Sequence, residues 1–284
     1  AQDEIKLLRN LQALIGVRYI YHENFKNHAT PNVALMYKPG KFNFRASYAA
    51  GFRTPTLSEL YATDIAKKND RLTIGNLDLK SEKNNYFSLS AEYVHERFSV
   101  SVNAFYNNIR DMIDYNTIAT GDKAMEQYGH KEVRQRDNIA EAKVHGINVS
   151  ANAYLGAGFN LSGGYTHLNT QDVELEQPID KSIKNAYNIN AQWAHSWKIY
   201  RLNINLNGRI NSKRFSKSYG YAPEYQLWDL NTRHSFNLKS VIIEPGFGME
   251  NLFDYMDDRP YNSNYATLTP GRSFYISLSL KFKS

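Results

Sequence analysis

Apolar and polar residues alternate with a period of two along most of this chain, and that period predicts strands that are apolar on one face only. In the last segment Phe274, Ile276, Leu278, Leu280 and Phe282 fall on one side, while Tyr275, Ser277, Ser279 and Lys281 fall on the other. Phe98, Val100, Val102, Ala104 and Tyr106 alternate with Ser99, Ser101, Asn103 and Phe105. Tyr200, Leu202, Ile204 and Leu206 alternate with Arg201, Asn203, Asn205 and Asn207, and Ile147, Val149, Ala151 and Ala153 with Asn148, Ser150 and Asn152. The pattern predicts about twelve strands. They fall over residues 10–22, 31–38, 42–53, 83–95, 98–112, 133–155, 158–169, 184–197, 200–213, 225–236, 241–253 and 272–282. No amphipathic helix longer than a turn or two is expected, and no internal repeat is present.

The connections carry a second signal. Short turns are expected at residues 38–41, 95–97, 156–158, 197–199 and 237–240. Long polar connections lie near 54–82, 113–132, 170–183, 214–224 and 254–271, with a shorter one at 23–30. Long and short alternate without a break. In an up-and-down sheet odd and even connections emerge at opposite ends, so the molecule has one plain end and one elaborate end, as outer-membrane barrels do. A soluble β-sandwich or propeller also alternates and uses glycine-rich turns. Against those, several strands run past the usual five or six residues. Their polar faces are also dense in Asn, Ser, Gln and Arg, as a wet lumen requires. The expected fold is all-β, an antiparallel up-and-down transmembrane barrel.

Composition agrees. The 284 residues are 42% hydrophobic with a mean hydropathy of −0.58. No stretch approaches the roughly 18–20 apolar residues of a spanning helix. Barrel strands escape that test because only one face is apolar. The 21 Tyr and 14 Phe match interfacial aromatic girdles. Cysteine is absent, which excludes thiolate metal sites and disulfides and fits a periplasmic folding route. The net charge of +6 suits a nucleic acid, an anionic lipid face or an acidic ligand equally. No aromatic-basic motif points to nucleic acid, so none is expected as a partner. No secretory signal opens the chain at AQDEIKLLRN. There is no HExxH, Walker loop or nucleophile elbow, and the eight His show no metal-ligand spacing. Neither an enzyme, a cofactor nor a metal site is expected.

Three stretches add a family resemblance. The first runs from Tyr48 to Tyr61 and contains Phe52-Arg53-Thr54-Pro55, then Glu59-Leu60-Tyr61. The second is Gly75-Asn76-Leu77-Asp78-Leu79-Lys80-Ser81-Glu82-Lys83, followed by a strand and Phe105 to Ile113. The third is Glu250-Asn251-Leu252-Phe253-Asp254-Tyr255, followed by Thr269-Pro270-Gly271-Arg272 and the last strand. Physically each reads as a loop-to-strand junction: Pro55 lacks a ladder donor, Thr56 or Ser58 caps a helical turn, and Gly75-Asn76 turns the chain back. In order and spacing they resemble the carboxy-terminal barrel signatures of TonB-dependent receptors, nearest the cobalamin, colicin and haem receptor branch. The motif positions carried over are Phe52, Arg53, Pro55, Glu59, Leu60, Tyr61, Gly75, Asn76, Leu77, Glu82, Asn251, Leu252, Phe253, Gly271 and Arg272.

The resemblance implies a single barrel domain over residues 1–284, the later part of a 22-stranded barrel, with the other barrel half, the plug and the TonB box outside this chain. It implies ligand-gated, TonB-energised import of cobalamin, a ferric siderophore or haem across the outer membrane of a Gram-negative bacterium. The partners implied are that missing half and plug, TonB through the plug, membrane lipid and lipopolysaccharide, and a small-molecule ligand. Members of the family usually end on an aromatic residue, and the small departure here is that Lys283 and Ser284 follow Phe282. Haem receptors of that branch place a His between the first two boxes; residues 54–76 hold none, though Tyr61 is a residue type that ligates ferric haem. The ligand-contact candidates are Tyr61, His130, Arg134, Arg136, Lys213, Arg214, Lys217, Tyr219 and Tyr221. A passive porin-like or adhesin barrel and a soluble β-rich binding domain are the alternatives.

Overall fold

The computed structural model describes residues 2–23, 26–216, 220–257 and 270–283. Its strands are β1 (Gln2–Leu8), β2 (Leu11–His22), β3 (Lys26–Tyr37), β4 (Phe42–Arg53), β5 (Thr63–Ala66), β6 (Arg71–Ile74), β7 (Glu82–Val94), β8 (Phe98–Thr120) and β9 (Glu132–Gly156). They continue with β10 (Phe159–Asp172), β11 (Asn185–Trp197), β12 (Tyr200–Asn211), β13 (Arg214–Ser216), β14 (Gly220–Ala222), β15 (Tyr225–Asn237), β16 (Val241–Glu250) and β17 (Ser273–Phe282). Two short helices, α1 (Leu57–Tyr61) and α2 (Gly121–Tyr128), sit in the connections. One sheet runs in the order β1-β2-β3-β4-β7-β8-β9-β10-β11-β12-β15-β16-β17, with antiparallel neighbours throughout. All twelve expected strands lie on this path. Among the described residues the sheet is open, with β1 and β17 as its edges.

Three expectations need correction. A thirteenth strand of the meander, β1, precedes the first expected one; the short and irregular pattern of QDEIKLL hides it. The segment 113–132 is not a loop throughout: β8 continues to Thr120 and β9 begins at Glu132, with α2 between them. Register shifts near Met112 and between Thr117 and Ala119 break the alternation there. The connection 54–82 contains α1 and the β5–β6 hairpin, and β6 docks parallel on β9.

The register carries one apolar face across the whole sheet. Leu35, Ala46, Leu89, Ala104 and Ile147 are successive cross-strand partners, as are Leu161, Ala191, Leu206, Leu230, Met249 and Phe274. These side chains are not packed in a dry centre. Leu89 is 63% exposed and Ile276 83%, and buried apolar residues are few among the described ones. The opposite face pairs Ser47 with Ser88 at 2.6 Å, Ser101 with Ser150 at 2.7 Å and Thr166 with Asn148 at 2.9 Å. Asn190 donates to both Asn205 and Asn207, at 2.9 and 2.6 Å. A sandwich or propeller would pack its apolar face; here that face is left uncovered, as it is on a barrel.

Rings border the apolar face at the plain end. Phe159 meets Trp193, Trp193 stacks on His195, and Trp197 stacks on Tyr200, which contacts Phe236 at 5.1 Å. A second ring row, containing Tyr48, Phe87 and Tyr106, lies toward the elaborate end. Amphipathic rings at both margins of an apolar band are the arrangement a membrane interface favours. The β1–β2 turn also falls at the plain end, where the Lys38 amide donates to the Asn10 carbonyl at 2.8 Å. The short–long alternation therefore extends one connection further than expected.

Candidate functional site

The elaborate end is built around the junction of β4, α1 and β7. Arg53 and Glu82 are cross-strand partners on the polar face. The guanidinium donates to Glu82 through Nε at 2.7 Å and to Glu59 Oε2 through Nη1 at 2.9 Å. Glu59 closes a capping box: its amide donates to Thr56 Oγ1 at 3.2 Å, and its carboxylate accepts from the Thr56 amide at 2.8 Å. Of the two expected caps, Thr56 is the one used. Burial raises the Glu59 pKa, but the bonds from Arg53 and Thr56 outweigh it and leave the carboxyl below its ordinary value. Glu82 also accepts from the Ile113 amide at 2.8 Å, tying the cluster to β8. Pro55 and Leu60 are buried here, and Leu60, Leu79 and Ile113 form a small apolar core. Phe52 stacks on His28 at 4.1 Å, and Ser81 meets His28 Nε2 at 3.1 Å.

The second motif closes the far end of α1. The Gly75 amide donates to Ala62 O at 2.8 Å and the Asn76 amide to Glu59 O at 3.0 Å. A Cβ on Gly75 would sit 2.5 Å from the Leu60 carbonyl oxygen, so only glycine permits this approach. Asn76 Oδ1 accepts from the Asp78 amide at 2.9 Å, an Asx turn, and leaves Leu77 exposed beside it. Asn138 of β9 then stitches the motif to the long hairpin: it accepts from the Lys80 amide at 2.7 Å and donates to Asp111 O at 2.6 Å. Further out, Ala119, Ala124 and Val133 make a second small core under α2, with Leu72 of β6 against it. His130 Nδ1 lies 2.8 Å from Asp70 Oδ1. That bond holds the Asp70 carboxyl below its ordinary value, helped by the Lys131 amide. The connection 54–81 and the β8–β9 hairpin are thus one folded block.

The third motif is a separate staple. Asn251, at φ 52° and only 5% exposed, accepts from the Tyr255 amide at 2.9 Å and donates to its carbonyl at 2.8 Å. Its own amide donates to Asp229 at 2.9 Å, the Leu252 amide donates to Trp228 O at 2.6 Å, and Phe253 meets the Trp228 ring edge-on. Asp254 accepts from the Arg272 amide at 2.7 Å, next to Gly271 at φ 84°. The staple joins the end of β16 to the start of β17. Thr269 and most of the 254–271 connection lie outside the described residues.

An open meander with one apolar face, an elaborate end and three such junctions matches known proteins. Residues 1–252 match the family described as TonB dependent receptor-like, beta-barrel. The chain belongs to that family. Among solved structures, the ferric enterobactin receptor PfeA of Pseudomonas aeruginosa is 20% identical, with TM-score 0.79 over 99% of this chain and 44% of the other. The siderophore receptor PirA of the same organism is 17% identical, with TM-score 0.72 over 100% of this chain and 47% of the other. BauA, the ferric preacinetobactin receptor of Acinetobacter baumannii, is 18% identical, with TM-score 0.71 over 99% and 42%. The chain spans less than half the length of each, and the shared feature at these identities is the receptor barrel fold.

Within that receptor fold the nine ligand-contact candidates separate. Tyr61 projects from α1 and is 63% exposed. His130 is engaged by Asp70. Arg134 donates to Glu132 at 2.6 Å. Arg136 donates to Tyr115 Oη at 2.5 Å and lies 3.6 Å over the Tyr115 ring centroid. Arg134 and Arg136 oppose Thr117 and Tyr115, so the register brings both to one face of the hairpin. Lys213 is exposed. Arg214 belongs to the β13–β14 hairpin, where Tyr221 meets Phe215 at 5.3 Å. That hairpin bonds to the 173–184 connection through Lys181 and Ser182. Lys217 and Tyr219 lie outside the described residues. Sequence reasoning missed Asp70, Tyr115, Asn138 and Asp229, whose roles arise from contacts between connections far apart in the chain.

Proposed function

We propose that this chain is the carboxy-terminal barrel portion of an outer-membrane receptor that imports a ferric siderophore by ligand-gated, TonB-energised transport. The observation that carries the reading is the folded block at the elaborate end. Two long connections are welded by ion pairs and small cores into a defined surface, standing on a sheet with one apolar and one polar face. A passive pore needs no such platform. Tyr61, Arg134, Arg136 and Tyr115 offer cations and rings to an anionic, aromatic chelate. The plug, the remaining barrel strands and TonB are partners outside the chain; lipid and lipopolysaccharide meet the apolar face and its margin. The Gly75-Asn76 box and the Phe52–Pro55 box favour cobalamin as the second reading.

Growth of a receptor knockout and its complemented strain on a ferric siderophore, cobalamin or haem as sole source tests this. Complementation restores growth on the siderophore only where TonB is intact. Restoration without TonB would contradict energised import, and restoration on cobalamin alone would select the second reading.

A further inference from the structure

The plain end carries a charge pattern that import does not use. Its turns hold Arg9, Lys38, Lys41, Arg97, Lys198 and Lys239 against one carboxylate, Glu96. All of these cations are exposed, and among the described residues none forms an ion pair. Turns at one end of a meander recur at every second connection, so successive turns stand about 10 Å apart along the rim. Charges spread in this way do not converge on one small anion. They fit a polymer that presents anions at intervals.

Between the first two of these turns lies a hollow of about 500 Å³, lined by Arg9, Asn10, Gln12, Met36, Lys38 and Gly40. Gln12 and Met36 are cross-strand partners on the polar face, whereas Leu11 and Tyr37 pair on the apolar one, so the hollow opens on the side away from lipid. Arg45, opposite Met36 in the register, donates through Nε to the Met36 sulfur at 3.4 Å, a weak acceptor. Glu4 and Glu92 lie on the same face, but neither pairs with these cations among the described residues, and Glu92 accepts from Asn43 at 3.1 Å. A guanidinium holds a carboxylate through two parallel N–H donors. The side chains of Asn10 and Gln12 offer the donors and acceptors that pair with peptide amides. The hollow therefore suits a peptide end with a free carboxylate, and an acyl chain has no place on that face.

We infer that the plain end is a docking surface for peptidoglycan, a glycan polymer bearing short peptide stems with free carboxylates. One stem carboxylate sits in the hollow between Arg9 and Lys38, and the cations of the other turns face further stems of the same polymer. The inference rests on the outer-membrane orientation proposed above, which turns the plain end toward the periplasm, but not on what the receptor imports.

The test uses the full-length receptor, plug included, in detergent. It is co-sedimented with purified sacculi, with glycan strands stripped of their stems by an amidase, and with phosphatidylglycerol vesicles. The folded state of each variant is checked by heat-modifiable migration. Wild type should bind intact sacculi at least tenfold more tightly than stripped glycan or vesicles, and the binding should weaken as salt rises. The double variant Arg9→Gln, Lys38→Gln should lose that margin, whereas Arg9→Lys, which keeps the charge but not the paired donors, should lose part of it. Lys198→Gln with Lys239→Gln, far from the hollow, should weaken binding to sacculi while leaving that to a soluble disaccharide-tetrapeptide unchanged. Siderophore-dependent growth should be the same in wild type and all variants, which separates a failure here from a failure of the import reading. Equal binding to sacculi by wild type and the folded Arg9, Lys38 double variant would overturn the proposal. So would stripped glycan or phosphatidylglycerol binding as tightly as intact sacculi.

Discussion

At the residue scale, Arg53 does the most with the fewest atoms. It holds two carboxylates, one from a helix cap and one from a strand end, and Glu82 passes the restraint on to β8. Its side chain is 43% exposed, so solvent screens the attraction and Arg53→Ala is expected to cost about 1 kcal/mol locally. Hydrogen exchange in 54–81 should rise while exchange in the strands stays unchanged. The Asp70–His130 contact gives a pH dependence with a definite sign. A carboxyl whose folded pKa is lowered contributes stability that is full above its unfolded value, about 3.9, and is lost as pH falls through the depressed folded value. Docking of the β5–β6 hairpin should therefore hold at neutral pH and loosen below about pH 4. Asp70→Asn should show no such acid step when protease cutting within 63–74 is followed against pH. Arg53, Glu59 and Glu82 stood out in the sequence because they sit in recognisable boxes. Asp70 and Asn138 did not, because a lone polar residue in a loop gives no sign of the partner it will meet some sixty positions away.

At the scale of elements, strands were legible wherever side chains alternate for ten residues or more, as in β8 up to Arg110 and in β12. Alternation failed where the backbone departs from a regular ladder. Asp111 has φ 56°, and the shifts that follow turn the upper half of β8 into a sequence that reads as loop. β6 was invisible for another reason: four residues joined in parallel to β9 are held by docking on Val133 rather than by local propensity. Glycine contacts carry predictions at this scale. Gly75→Ala forces a methyl against the Leu60 carbonyl and should undo the α1 closure, costing about 1–3 kcal/mol and lowering ligand affinity more than overall barrel stability, as read by calorimetry beside ligand titration. The Trp228 ring lies over Gly208, where an added Cβ would meet ring carbons at 2.5–2.7 Å. Asn251→Ala removes both side-chain bonds to Tyr255 and should cost about 2 kcal/mol, visible as lowered thermal stability with cargo selectivity intact.

At the scale of the whole molecule, the two faces of one sheet decide everything else. Among the described residues ten aliphatic side chains, five of them alanine, are buried. A water-soluble fold of this size with so little packed inside would not be stable. The fold is stable only if Leu89, Ile204 and Leu278 find an apolar solvent while Ser88, Asn205 and Ser279 stay wet. Leu89→Arg near the middle of the band should cost about 2–4 kcal/mol in lipid, whereas Ser88→Arg on the other face should cost little. The absence of cysteine allows the decisive measurement on single-cysteine variants without a background label. Spin labels at Val102, Ile204 and Leu280, and at their neighbours Asn103, Asn205 and Ser279, would be compared for collisions with oxygen and with a water-soluble nickel chelate in lipid vesicles. Oxygen-dominated relaxation is expected at the first three and nickel-dominated relaxation at the second three. The reverse order, or equal nickel access at both sets, would contradict it.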